Sequence, residues 1–226
     1  MKKRVYISRT PAQVETLVLE LEKLDVDVEA ISLIETTDVK YQLPTKSYDW
    51  IFFFSSNAVE YFFVQNPTIP KDVLFGAVGM ATAASLEKYK AVSFIGQTSN
   101  TDQVAAEFAN VLASKIVLVP QSDISIHPLA AKLGKEQCLD LVCYKTSQLP
   151  KKIASADVFI FSSPSNVQSF FQANTWHESA RAISFGPATS RALREFGVEP
   201  VEELEKMNSH DLIRAIMTVL CSSEED

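Results

Sequence analysis

Glycine is scarce, six in 226 residues, and neither GxGxxG nor GxxxxGK occurs. Loops that wrap a pyrophosphate or triphosphate need glycine so that the backbone can approach closely, which excludes dinucleotide and Walker-type nucleotide binding. Histidine and cysteine number three each. His127, His177 and His210 stand far apart in sequence with no second ligand beside them, and Cys138, Cys143 and Cys221 show no CxxC spacing. No metal site is therefore expected, and the thiols are expected to be free, as in a reducing compartment. GxSxG is missing, and no Ser-His-Asp or Cys-His spacing points to a covalent hydrolase. A basic surplus is missing too. The net charge of −7 and pI near 5.1 argue against a nucleic-acid partner and offer no overall attraction to an acidic small molecule, so any anion site has to be local. No apolar run approaches the ~18 residues of a membrane span. The opening MKKRVYISRT has three cations but no apolar stretch behind them, so it does not read as a signal peptide. A cytoplasmic monomer without a membrane partner is the expectation.

What is present is a repeat. DWIFFFSSNAVEYFF, from Asp49 to Phe63, returns 108 residues later as DVFIFSSPSNVQSFF, from Asp157 to Phe171. Each copy is an apolar run, a Ser-rich corner and then apolar residues at helical spacing (Val59, Phe62, Phe63; Val167, Phe170, Phe171), which reads as a buried strand turning directly into a helix. The corner residues Ser55, Ser56 and Asn57, and Ser163, Pro164 and Ser165, suit a helix cap and first turn. Capping alone would account for them. Such corners also present unpaired N–H groups and a positive dipole end, which hold anions.

The rest of the chain follows the same plan. Arg4 to Ser8 and Val28 to Ile34 read as strands around a helix from Pro11 to Leu24, with Val14, Leu17, Val18, Leu21 and Leu24 on one stripe. Lys115 to Tyr144 echoes this unit. Val73–Val78, Ala81–Lys90, Ala91–Ile95 and Asp102–Leu112 continue the first corner as strand, helix, strand and helix. Arg181–Phe185, Ala188–Phe196, Val198–Val201 and Asp211–Leu220 continue the second, keeping Gly79 with Gly186, Thr82 with Thr189 and Leu86 with Leu193. Short and long parts therefore alternate along the chain. The fold class is α/β, with two doubly wound parallel-sheet domains, flavodoxin-like or Rossmann-like and internally duplicated. Two assemblies remain open: each short part can join the long part that follows it, or the middle pair can form one domain while both chain ends form the other.

Ligands of open parallel sheets sit at the carboxyl ends of strands. The residues placed there are Ser8 to Thr10, Ser55 to Asn57, Gly79, Thr82, Thr98 to Thr101, Gln121, Ser122, Tyr144, Ser163 to Ser165, Gly186, Thr189, Asn208 and Ser209. Small hydroxyl and amide residues dominate, and Arg9 is the one cation. Tyr144 stands where the first copy has Ile34, an asymmetry that a half-buried strand tyrosine would equally explain.

FFSSNAV (Phe53 to Val59), FSSPSNV (Phe161 to Val167), GMATAASL (Gly79 to Leu86), GPATSRAL (Gly186 to Leu193) and the YKT of Tyr144 to Thr146 together resemble the uroporphyrinogen-III synthase family over essentially the whole chain. The resemblance implies two α/β domains, residues 1–34 plus 149–226 and residues 38–144, joined by a two-stranded connector at 35–37 and 145–148. It implies a lyase of heme and tetrapyrrole biosynthesis that closes hydroxymethylbilane with loss of water and inversion of the last ring, using no metal and no organic cofactor. Tyr144 matches the family's YxT tyrosine, proposed to assist departure of the substrate hydroxyl. Thr82 and Thr189 match the GxxT threonines, Ser55, Asn57, Ser163 and Ser165 the corner positions, and Arg9 the arginine that often ends the first strand. Gln121 stands where the family often has a second arginine. The rival from another class is a two-domain clamp that binds an acidic small molecule without turnover.

Overall fold

A computed structural model describes residues 2–98, 100–204 and 209–222. Asn208 and Ser99, both among the strand-end positions above, lie outside the described residues. The chain divides into two compact units, 1–35 with 147–226 and 36–146, so it takes the crossed assembly in which both chain ends share a sheet.

In the first unit β1 (Lys3–Ile7), α1 (Pro11–Lys23) and β2 (Val26–Ala30) join strands from the far end of the sequence. β9 (Val158–Phe161), β10 (Arg181–Phe185) and β11 (Glu202–Leu204) complete a five-stranded sheet of order β11-β10-β9-β1-β2, parallel throughout. Alternation divides its side chains between two cores. Val5, Ile7, Val158, Ile160 and Ile183 pack with Leu17 and Leu21 of α1 and with Leu212, Ile216 and Leu220 of α8 (Ser209–Ser222). Tyr6, Phe159, Phe161 and Ala182 pack on the other face with Val167 and Phe170 of α6 (Pro164–Ala173) and Leu193 of α7 (Gly186–Glu195). Helices on both faces make the layer doubly wound.

The second unit contains β4 (Trp50–Phe53), α2 (Ser56–Phe63), β5 (Leu74–Ala77), α3 (Met80–Glu87), β6 (Phe94–Ile95), α4 (Thr101–Leu112), β7 (Val117–Ser122), α5 (Pro128–Leu133) and most of β8 (Cys138–Gln148). Its parallel order β8-β7-β4-β5-β6 carries a sixth strand, β3 (Ile34–Asp38), beside β8. Ile51, Phe53 and Leu118 face α2 and α3, while Trp50, Phe52, Val117 and Val119 face α4 and α5. Phe53 and Phe62 are fully buried, and each such ring stabilises the layer by about 1.5–3 kcal/mol. Hydrogen bonds from Val39 N–H to Cys143 O and from Leu149 N–H to Leu33 O run the β3 and β8 segments in opposite directions as the chain passes from one unit to the other.

Four element readings need correction. The second strand ends at Ala30, and Ile34 opens the separate strand β3. Ala91 to Ile95 pairs only at Phe94 and Ile95. Leu24 lies beyond α1 and is largely exposed. The last strand is Glu202–Leu204 rather than Val198–Val201, because Val198 belongs to the helix stop. Gly197, at φ 76°, donates to Arg194 O, and Val198 N–H reaches back to Leu193 O while its side chain packs with Leu193. This double closure is a Schellman cap, and Pro200 delays pairing further by lacking an N–H.

Candidate functional site

Both sheets reverse strand order where a first strand meets a corner strand: β1 beside β9, and β7 beside β4. Such switch points open the crevice in which doubly wound sheets bind ligands. Pairing of Val5 with Val158 and of Val117 with Trp50, with Val158 and Trp50 as repeat partners, makes Arg9 and Gln121 equivalent positions.

In the first unit, β1 and β9 end in a serine lock. Ser162 N–H donates to Ser8 Oγ at 2.8 Å, and Ser162 Oγ donates to Ser8 O at 2.8 Å. Arg9 follows directly. Its Nε is buried without a hydrogen-bond partner among the described residues, and burial pulls the guanidinium below its ordinary pKa. Ser163 caps α6, its Oγ accepting from Asn166 N–H at 3.3 Å, with Pro164 and the half-buried Ser165 in the first turn. Gly186 opens α7 at φ 72°, and Thr189 is buried one turn on. No hydrogen bond among the described residues links Arg9 to these corners.

The second unit gathers its residues more closely. Ser55 caps α2 by accepting from Ala58 N–H at 3.1 Å, and its Oγ lies 3.3 Å from the Tyr144 hydroxyl. Ser56 Oγ donates to Ala81 O, tying the start of α2 to that of α3. There Gly79 is the cap, with no side chain to occupy the first amides, and Thr82 is buried in the opening turn. Asn57 is exposed. Tyr144 itself is buried, only 6% exposed. Cys143 before it faces the same core, which strict alternation forbids. The reason is a slip in the ladder: Gln121 pairs with Val142 but Ser122 pairs with Tyr144, a bulge that turns the phenol toward α2. Tyr61 stacks on the ring at 5.0 Å and anchors its own hydroxyl on Thr36 O. Burial raises the Tyr144 pKa, opposed in part by the hydroxyls of Ser55 and Ser125, so the phenol remains a proton donor at neutral pH.

Three features escaped the sequence reading. Asp123, one residue past the strand-end position Ser122, is held as a carboxylate by Thr146 N–H first and also by the Ser122 hydroxyl, which lowers its pKa. Its position in the loop was the available signal. Gln121 Oε1 is buried without a partner among the described residues, as Arg9 Nε is. His127, expected to stand apart from any second ligand, comes together with Cys138 and Asp140.

A family model described as uroporphyrinogen-III synthase HemD matches residues 15–214. The chain belongs to the uroporphyrinogen-III synthase family. That family consists of enzymes of tetrapyrrole and heme biosynthesis. A mutant uroporphyrinogen III synthase from the extremely thermophilic bacterium Thermus thermophilus is similar in structure, with a TM-score of 0.70 at 16% identity over 97% of this chain and 99% of that one. Uroporphyrinogen-III synthetase from Helicobacter pylori 26695 gives a TM-score of 0.63 at 19% identity over 96% and 100%. Likeness at such identities speaks for the two-domain α/β fold. No curated protein matches the chain by sequence. Among the described residues no helix is long and apolar enough to cross a membrane.

Proposed function

We propose that this uroporphyrinogen-III synthase family member is a hydro-lyase that closes hydroxymethylbilane to uroporphyrinogen III, losing water and inverting the last pyrrole ring, with neither a metal nor an organic cofactor in the reaction. The observation that carries the reading is Tyr144, a phenol kept protonated by burial and held against the α2 cap by Ser55. It is the catalytic acid. Its O–H bonds to the hydroxyl that departs with the C–O pair, and the positive charge left on the pyrrole is opposed by Asp123, whose N–H is already joined to Tyr144 O at 3.1 Å.

Binding falls to the other carboxyl-end groups. The bilane bears acetate and propionate arms on every ring, and charge-assisted bonds to them are stronger than neutral ones. Arg9 supplies a cation whose buried Nε has no partner among the described residues, and a substrate acid gives that charge the partner it lacks. Gln121 offers an amide at the equivalent place. Ser56, Asn57, Ser165 and the openings of α3 and α7 at Gly79, Thr82, Gly186 and Thr189 supply main-chain N–H donors, with Ser55, Ser163 and Pro164 shaping the corners. The bilane closes unaided to the symmetric isomer, so selecting a folded conformation matters most. Positioning supplies up to about 7–11 kcal/mol of barrier, whereas one proton donor supplies a factor of about 10²–10⁴.

The test is purified protein with freshly made hydroxymethylbilane, the product isomers being separated after oxidation. Uroporphyrin III is expected as the main product. Uroporphyrin I alone, at the rate seen without protein, would refute the reading.

A further inference from the structure

The face of the second sheet that Tyr144 avoids carries a different set of reactive side chains. Cys138 and Asp140 stand two apart on β8, so they share one side of the strand. His127, the cap of α5, reaches over them, its Nε2 2.8 Å from Asp140 Oδ1. One ligand atom from each of the three lies within 4.8 Å of the others. The imidazole is buried and stacks on Phe54 at 5.1 Å, while Asp140 is open to solvent.

A His–Asp tie between loop and strand would by itself explain the pair, but the duplicated scaffold argues for more. The strand registers put Cys138 where the first unit has Val28 and Asp140 where it has Ala30. The cap before the helix proline is His127 here and Thr10 there. The same architecture thus stands on Thr, Val and Ala, and the second unit has a nitrogen, a sulfur and an oxygen donor at all three places. That set suits zinc: one thiolate and one carboxylate neutralise a divalent cation, and three protein ligands leave one tetrahedral position for water. Nδ1 of His127 is buried with no partner among the described residues, so the contact of Nε2 with Asp140 is the one hydrogen bond found there for the ring.

We propose that His127, Cys138 and Asp140 form a Zn²⁺ site, water completing the tetrahedron on the open Asp140 side. Binding releases the Cys138 thiol proton to solvent. The ion pins the first half of β8 to the loop ahead of α5, on the sheet face opposite the Tyr144 core, and takes no part in ring closure.

Co²⁺ titration of the chelator-treated full chain, followed by absorption, is the test. One equivalent is expected to give a thiolate-to-cobalt charge-transfer band that Zn²⁺ abolishes by competition. The band should vanish in Cys138→Ser and persist in Cys143→Ser and Cys221→Ser. Asp140→Asn, at an exposed position that keeps the fold, should weaken binding at least about tenfold. No band in the wild-type chain, a band surviving Cys138→Ser, or an unchanged affinity in Asp140→Asn would each overturn the site. Cyclisation by the chelator-treated chain tests the proposed activity separately, and is expected to continue.

Discussion

At the strand where the sheet reverses its order, the first unit carries a half-buried cation, Arg9, and the second a half-buried amide, Gln121. Both Arg9 Nε and Gln121 Oε1 lack a partner among the described residues, yet only the second unit adds a phenol, Tyr144, on the neighbouring strand β8, whereas the first unit's β2 stops at Ala30. On the proposed reading, one duplicated scaffold has diverged into a unit that holds charge and a unit that does chemistry.

The largest effect should come from erasing the acid. Tyr144→Phe is expected to lower kcat for isomer III by up to about 10⁴-fold, the range of a single general acid, with little change in KM. Complete loss in a folded variant would mean that the second unit does more than donate one proton. Arg9→Met should act on binding, lowering kcat/KM by about 30-fold or more, the effect of removing about 2 kcal/mol from a buried charged contact. Thermal unfolding of the ligand-free variant should move upward, since a half-buried cation whose buried Nε has no partner among the described residues is gone. A lower Tm would show that Arg9 supports the fold. Gln121→Met should cost no more than about tenfold, a neutral hydrogen bond being worth about 0.5–1.5 kcal/mol.

The paired helix openings give a smaller and purely structural contrast. Gly186 has φ 72° and open space where a Cβ would stand, so Gly186→Ala should destabilise by about 1–2 kcal/mol through backbone strain alone. Gly79 is extended, with φ −174° and equal room, so Gly79→Ala should be neutral or stabilise by up to about 1 kcal/mol. Denaturant midpoints measure both, and equal losses would remove the distinction.

The smallest difference should appear in alkali. Cys143 is pushed up by burial to about 12, and burial likewise raises Tyr41 and Tyr144, all in the second unit; the first has Tyr6. A folded pKa above the unfolded value gives stability that is complete below the unfolded value and lost as pH rises, here from about 9 toward 12 for Cys143. Each unit carries one tryptophan, Trp50 in the second and Trp176 in the first. Trp50 emission in Trp176→Phe should therefore shift at lower pH than Trp176 emission in Trp50→Phe. The reverse order would show that the extra buried thiol and phenols do not govern alkaline stability.

The repeat from Asp49 and Asp157 was legible because a strand buried on both faces must be apolar at every position, and the helix after it must be apolar on one side. The corner serines were legible as caps for an equally local reason, and both cap as their type demands. The Schellman stop at Gly197 and Val198 was misread as a strand because Val198 is apolar in either role. Asp123 was missed because its importance comes from Thr146 N–H, 23 residues away.

By itself, the sequence determined the kind and order of most elements, the duplication, and the corner residues that follow the buried strands, since each depends on periodicity and on groups close along the chain. Tertiary structure alone decided that both chain ends share a sheet, that a slipped ladder turns Tyr144 toward Ser55, and that His127 meets Cys138 and Asp140. Pairing register and loop closure join residues far apart in the chain, and a one-residue slip exchanges the two faces of a strand, leaving no periodic trace in the local pattern.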